Sequence, residues 1–185
     1  MTNSTPNDNP LIIGWIGNSQ NLYYFDQIDL DIKEILNQNG IEFHIMTDNI
    51  QDVSRFDSVG SFRAEEWSME SEIDFLKKID VGIRPLICDQ WTIGKGGFTS
   101  IVQMMLSSIP VVASPVGMVP NIIKNRRNGF LATDEETWHE YIHKLLNKPA
   151  MRRKFGENAR SSVIDDGFTT RDYSQKLFNI LSQNL

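Results

Sequence analysis

A lysine stands among three glycines in the stretch Gly94-Lys95-Gly96-Gly97, immediately before residues with helical spacing. The apolar residues of that run fall on one helical face: Phe98, Ile101, Val102, Met105 and Leu106. Glycines let an anion approach the partly positive backbone N–H groups at a helix N-terminus, and lysine adds a charge. The pattern favours phosphate binding, and an ordinary flexible loop remains the alternative. It is not a Walker A loop, because Asp89 and Gly96 stand where that motif has a glycine and a hydroxyl residue.

A second motif, His139-Glu140-Tyr141-Ile142-His143, matches the HExxH signature of zinc proteases. No third histidine follows it along the chain. A helical projection buries four neighbouring apolar side chains and leaves both histidines on the polar flank: Trp138, Ile142, Leu145 and Leu146. We therefore expect a surface helix and no bound metal, and a zinc protease is disfavoured.

Composition limits the remaining function classes. The formal net charge of -6 over 185 residues argues against a nucleic-acid partner, because phosphate backbones are held by clustered cations. Two small basic clusters, one around Arg126 and one around Arg153, are expected to be solvated or to face helix ends. No apolar run is long enough to span a membrane. The single cysteine, Cys88, cannot form an internal disulfide, which fits a cytoplasmic location.

Strand and helix patterns alternate along the chain after residues 1–10, which read as a disordered leader. The predicted strands cover residues 11–16, 41–45, 58–63, 80–86, 111–113 and 129–132. The predicted helices cover residues 21–38, 69–79, 98–106 and 116–124, followed by helical segments that end at about 170–184. The alternation predicts one α/β domain over residues 11–185: a Rossmann-like, doubly wound and mostly parallel sheet of about six strands, with helices on both faces. Such sheets bind ligands where the strands end, here in the loops over residues 17–20, 63–68, 85–97 and 114–117.

The order of these elements from Glu72 to about Ser162 resembles the donor-binding, C-terminal half of a group-1 type retaining glycosyltransferase of GT-B architecture. The residues that carry the resemblance are Asp80 to Leu86, Trp91, Gly94-Lys95, Gln103 to Met105, Pro110 to Gly117, Asn128 to Ala132 and Trp138. Gly14 to Gly17 and the terminal helix around Tyr173 are also similar to that half.

The resemblance implies a glycosyltransferase that binds a nucleotide-diphosphate sugar and needs no metal or other cofactor. It puts the base near Arg63 to Trp67 and the ribose at Gln103. The diphosphate would lie over Gly17, Asn18 and the loop from Lys95 to Thr99. The implied donor-binding residues are Gly17, Asn18, Arg63, Arg84, Gly96, Gly97, Phe98, Thr99 and Gln103, with Lys95 as the catalytic group.

Two departures from that family keep a second hypothesis open. The family usually has glutamates at the positions of Lys95 and Gln103, and lysine cannot accept a hydrogen bond from a sugar hydroxyl. The acceptor is held by a separate N-terminal domain in GT-B enzymes, so the resemblance implies such a domain or a partner chain. The alternative is a non-catalytic nucleotide or nucleotide-sugar binding module of the same fold.

Overall fold

The computed structural model describes residues 10–28, 32–36, 40–58, 60–95 and 98–182. Six strands form one sheet: β1 (Leu11–Ile16), β2 (Ile41–Thr47), β3 (Phe62–Glu66), β4 (Val81–Arg84), β5 (Val111–Ala113) and β6 (Phe130–Leu131). Every strand pairing is parallel, and the order across the sheet is β3-β2-β1-β4-β5-β6. The predicted doubly wound α/β fold is confirmed.

Helices cover both faces of the sheet in the described residues. They are α1 (Tyr24–Gln27), α2 (Ile32–Leu36), α3 (Met69–Lys78), α4 (Gln90–Lys95), α5 (Thr99–Leu106), α6 (Val119–Ile122), α7 (Glu135–Asn147), α8 (Pro149–Asp165) and α9 (Thr170–Ser182). Alternate strand residues point to opposite faces, and each face packs its own core. Phe43 and Ile83 pack with α1, α2 and α7, whereas Met46 and Val111 pack with α3, α5 and α8.

The long helix predicted over residues 21–38 does not form as one element. A 3₁₀ turn at Ser19–Tyr23 leads into α1, and Ile28 then adopts an extended conformation with φ -110° and ψ 147°. Short α2 begins again at Ile32. A β-branched isoleucine has modest helix propensity, so the apolar spacing alone did not keep this segment helical.

Two other expectations need correction. Strand β3 runs over Phe62–Glu66, whereas residues 58–63 were predicted, because its register follows pairing with β2 rather than its own weak pattern. Helical spacing predicts a shared buried face for Ile73 and Leu76 on α3, but the Ile73 side chain is 62% exposed, and Phe75 and Leu76 face the core.

The proposed leader lies outside the described residues, except for Pro10. Within the described part of the chain, no helix combines the length and the apolar character needed to cross a bilayer.

Candidate functional site: a cavity at the carboxyl ends of the strands

A cavity of about 450 Å³ opens where four neighbouring strands end. It lies at the point where the strand order reverses between β1 and β4, the usual ligand crevice of a doubly wound sheet. Its volume falls in the range of small-molecule sites. The lining residues are Ile16, Gly17, Asn18, Asn21, Asp48, Trp67, Glu72, Arg84, Thr99, Ser100 and Gln103.

Arg84, the last residue of β4, supplies a buried cation to this cavity. Only 6% of its surface is exposed, and its guanidinium lies 5.5 Å from the centre of the Trp15 ring. One Nη1–H donates to the carbonyl of Ile16 at 3.4 Å, and Nε has no hydrogen-bond partner. Burial lowers the pKa of Arg84 to about 10, so the side chain stays charged at neutral pH. It makes no ion pair with any described carboxylate.

Gly17 leaves the space that Arg84 occupies. A Cβ atom at position 17 would lie 2.6 Å from Arg84 Nη1 and 2.9 Å from the Trp15 ring. The absence of a side chain therefore lets the backbone after β1 approach the guanidinium. A ligand placed over this turn would contact the backbone of Gly17 and lie close to the positive charge of Arg84.

Asp48, just after β2, holds the turn that follows β1. Its carboxylate accepts hydrogen bonds from Ser19 N and Asn18 Nδ2, both at 2.7 Å. The backbone N–H of Ser19 is the largest cause of the lowered pKa of Asp48. Asn18 in turn accepts from Gln20 N at 3.0 Å, which fixes the 3₁₀ turn. These bonds orient the polar rim of the cavity.

The first turn of α5 forms the facing wall. Its N-cap residue, Phe98, makes no side-chain hydrogen bond to that turn, and the buried Ser100 hydroxyl is unpartnered. The first N–H groups of a helix have no partner within the helix itself and carry partial positive charge. This wall can therefore donate to an anion.

Glu72 links α3 to α5 across the cavity. Its Oε1 accepts from Gln103 Nε2 and its Oε2 accepts from Trp67 Nε1, each at 2.6 Å. A carboxylate has spare acceptor capacity after two such bonds. The three side chains together offer hydrogen-bond acceptors and an aromatic face at one end of the cavity.

The structure brings five of the predicted donor-binding residues to the cavity: Gly17, Asn18, Arg84, Thr99 and Gln103. Arg63 is not among the lining residues, because its Nε pairs with Glu42 Oε2 at 3.0 Å on the outer strands. Phe98 packs against the core at the start of α5. Lys95 ends α4, and the position of its side chain lies outside the described part, as do Gly96 and Gly97.

Asp48 and Glu72 are cavity residues that the sequence did not single out. Asp48 directly follows β2, at the edge where such sheets bind ligands, but the strand predicted over residues 41–45 ended too early to mark it. Glu72 lies in the first turn of α3, where acidic residues are common for helix stability alone. Nothing in its spacing distinguished it.

The HExxH segment lies on α7, on the other face of the sheet from α5. Glu140 pairs with Lys144, and His139 Nδ1 lies 3.6 Å from Glu34 Oε2. The described residues that could share a metal here are Glu34, Glu135 and His139, without the second histidine of the motif. Burial lowers the pKa of His143. This arrangement lacks the paired histidines and free glutamate that zinc-protease chemistry requires.

The parallel sheet, its strand order and this crevice define a Rossmann-like, doubly wound α/β class of domain. Residues 73–162 match the family described as glycosyl transferases group 1. The match covers 90 of the 185 residues, and the resemblance drawn from the sequence is confirmed.

A curated relative and two solved structures illustrate the similarity. The chain is 25% identical over 155 residues to the GDP-Man:Man(3)GlcNAc(2)-PP-Dol alpha-1,2-mannosyltransferase of Dictyostelium discoideum, covering 74% of this chain and 28% of that protein. A glycosyltransferase from Rickettsia africae superposes with a TM-score of 0.76 at 14% identity, covering 96% of this chain and 48% of the other. HepE of Anabaena, solved with UDP and glucose, superposes with a TM-score of 0.72 at 15% identity, covering 95% of this chain and 49% of HepE.

The chain thus spans about half the length of these two solved structures and little more than a quarter of the curated relative. A structure titled as the C-terminal domain of a group-1 glycosyl transferase from Francisella tularensis is covered over 87% of its length, with a TM-score of 0.63 at 17% identity. The likeness to solved structures establishes the fold.

Proposed function

We propose that this chain binds the nucleotide-diphosphate sugar donor of a glycosyltransferase and presents it for transfer to an acceptor held by a second domain. The observation that carries the proposal is Arg84, a buried guanidinium that pairs with none of the described carboxylates and lies beside the turn at Gly17. HepE of Anabaena, a protein of the same fold, was solved with UDP-glucose.

The diphosphate would lie between the turn after β1 and the first turn of α5. Arg84 and the first residues of α5, Thr99 and Ser100, line this space from two sides. A diphosphate gains negative charge as the glycosidic bond breaks, so these donors would stabilise the departing nucleotide. Lys95 would add a cation from the adjoining glycine loop as the catalytic group, with Gly96 and Gly97 giving close backbone approach.

The nucleoside would lie at the opposite end of the cavity. Gln103 and Glu72 provide acceptors for ribose hydroxyls, and the half-exposed Trp67 provides a face for base stacking. Protein cations would balance the diphosphate charge in this arrangement, so we expect donor binding without a divalent metal. A titration in the presence of a chelator checks that expectation.

The acceptor-holding partner would be an N-terminal-type domain or a separate chain, and α9 offers a surface for it. Tyr173, Leu177 and Leu181 follow one helical face and are each about half exposed, and no residue of α9 is buried. An exposed, continuous apolar face often marks a surface that contacts another protein. A cytoplasmic location, where nucleotide sugars are available, completes the proposal.

Titration calorimetry with UDP, GDP, ADP and their sugars tests the donor site. We expect at least one nucleotide to bind below millimolar, and Arg84→Gln to weaken it by tenfold or more, because a hydrogen bond to a charged group contributes about 1.5–3 kcal/mol. Arg55→Gln, which removes a surface arginine paired with Asp26, is the matched control.

Binding by no nucleotide, or equal binding by wild type and Arg84→Gln, would contradict the proposal. Nucleotide binding without sugar transfer, measured with the acceptor domain present, would instead favour the non-catalytic module.

A further inference from the structure

A second cavity, of about 570 Å³, lies at the other end of the sheet from the donor cavity. Its lining residues are Arg126, Arg127, Ala150, Met151, Lys154, Phe155 and Asn158. The two arginines precede β6, so they lie at the amino end of that strand, whereas the donor cavity lies at the carboxyl ends. The two cavities share no lining residue.

Three cations and no carboxylate line this second cavity. None of Arg126, Arg127 and Lys154 forms a salt bridge with a described residue, although acidic residues outnumber basic ones in the chain. Glu140, the acidic neighbour of Arg126, is paired with Lys144. Like charges gathered in a concavity repel one another more than on a flat surface, since the protein wall excludes water. A bound anion would relieve that repulsion.

Contacts with α7 and α8 hold the loop that carries Arg126 and Arg127. Arg126 donates to the Tyr141 hydroxyl at 3.2 Å and lies over its ring at 5.7 Å. Its backbone adopts φ 64°, a conformation that residues with a side chain rarely take. The carbonyl of Arg127 accepts from Asn158 Nδ2 at 2.7 Å, which ties the loop to α8. These contacts hold the Arg126 side chain and the backbone of Arg127 in place.

The first turn of α8 adds backbone donors to the same cavity. Ala150 and Met151 lie in that turn, which has no side-chain cap and no acidic residue. The helix has 17 residues, so its N-terminus carries the full partial positive charge of a helix dipole. Phe155 and Met151 form an apolar side of the cavity.

We propose that Arg126, Arg127, Lys154 and the first turn of α8 form a second anion site, which binds a phosphorylated ligand with two or more negative charges. Three cations match a diphosphate or a phosphomonoester in charge, and the apolar side accommodates carbon adjacent to it. Either a soluble metabolite or the headgroup of an anionic lipid carries such a group.

Backbone amide NMR of the full chain, titrated with inorganic diphosphate, resolves this site from the donor cavity. We expect the amides of Arg127, Met151 and Lys154 to shift, separately from those of Gly17 and Gln103. Lys154→Gln should weaken the first response by about tenfold, since a hydrogen bond to a charged group is lost. The matched control is Arg153→Gln, an exposed neighbour on α8 that does not line the cavity and should leave the response unchanged.

Co-sedimentation with phosphatidylcholine vesicles, with and without phosphatidic acid, distinguishes the two sources of phosphate. Binding that requires phosphatidic acid and is lost in Lys154→Gln but not in Arg153→Gln assigns the site to a lipid headgroup. A diphosphate response without such vesicle binding assigns it to a soluble ligand. No response in either experiment, or equal loss in both variants, overturns the proposal.

Discussion

Arg84, the central residue of the proposed site, is held in the folded protein at a cost in stability. A buried charge without a partner costs free energy in the folded state, and the lowered pKa of Arg84 reflects that cost. The nearby carboxylates, Asp48 and Glu72, are occupied by other donors and leave the guanidinium unpaired. A buried cation beside the turn at Gly17 is the arrangement expected of an anion-binding site.

Asp48 gives the site a dependence on pH. Hydrogen bonds from the turn after β1 lower its pKa below the usual value of 3.8. A lowered pKa means that the stabilisation is present above the unfolded-state pKa and is lost as the pH falls through the folded-state pKa. The turn that holds Asn18 should therefore loosen in acid.

We expect Asp48→Asn to lower the free energy of unfolding at neutral pH by about 1 kcal/mol, since the amide cannot replace both acceptor contacts. The difference from wild type should shrink as the pH falls below the ordinary carboxyl range. Urea unfolding at several pH values measures it. Asp52→Asn, a carboxylate in the next turn with no hydrogen bond or ion pair in the described structure, serves as the control. A difference that does not change with pH would contradict the assignment.

The helices are positioned by contacts that their own sequences do not reveal. Helix α8 crosses close to the end of α5, where the backbone of Ser108 comes against Gly156. A Cβ atom at position 156 would lie 2.0 Å from the Ser108 carbonyl oxygen. The glycine is therefore required by the helix contact, although it weakens α8 as an isolated helix.

Replacing Gly156 with alanine tests this contact, because the contact decides whether the free energy of unfolding rises or falls. In an open helix, glycine to alanine stabilises by about 0.5–1 kcal/mol. We expect Gly156→Ala to destabilise instead, by about 1–3 kcal/mol, because the added methyl group overpacks the interface. Gly94→Ala on α4 is the matched control, since no atom of the described residues lies within 4 Å of its added Cβ, and it should stabilise. Chemical unfolding of both variants compares them, and equal effects would refute the contact.

The whole domain has two ends with different chemistry. The carboxyl ends of the strands carry the proposed donor cavity, with Arg84 among acceptors, and the amino end of β6 carries the cavity lined by Arg126, Arg127 and Lys154. Helix α9 adds an apolar face that none of the described residues buries. These surfaces are separate, so a donor, a second anion and a partner domain could be bound together.

Substitutions on α9 should leave the stability of this domain nearly unchanged. Leu181→Lys is expected to alter the free energy of unfolding by less than about 0.5 kcal/mol, as is usual for an exposed position. By contrast, Leu145→Ala removes a fully buried side chain of α7 and should cost about 2–5 kcal/mol. Thermal and urea unfolding measure both. A large loss in Leu181→Lys would show that α9 packs on this domain and has no free face for a partner.

Much of the fold followed from local pattern. The buried strands β1, β4 and β5 and the amphipathic face of α7 were predicted, because long apolar runs and helical spacing are read without knowledge of neighbours. The prediction of one helix over residues 21–38 was wrong, because similar apolar spacing also fits short helices joined by an extended residue such as Ile28. Strand β3 was displaced because pairing with β2 set its register.

The sequence by itself determined the class of fold, the edge of the sheet where the cavity opens, and the glycines that precede α5. Only the tertiary structure decided that Arg84 faces the cavity while Arg63 pairs with Glu42, and that Glu72 joins Trp67 to Gln103. The spacing of apolar residues along the sequence indicates which side chains share a face of a helix or strand, because this depends only on the repeat of the backbone conformation. Which charged side chain reaches a site depends on burial and on distant partners, and these exist only once the chain is folded.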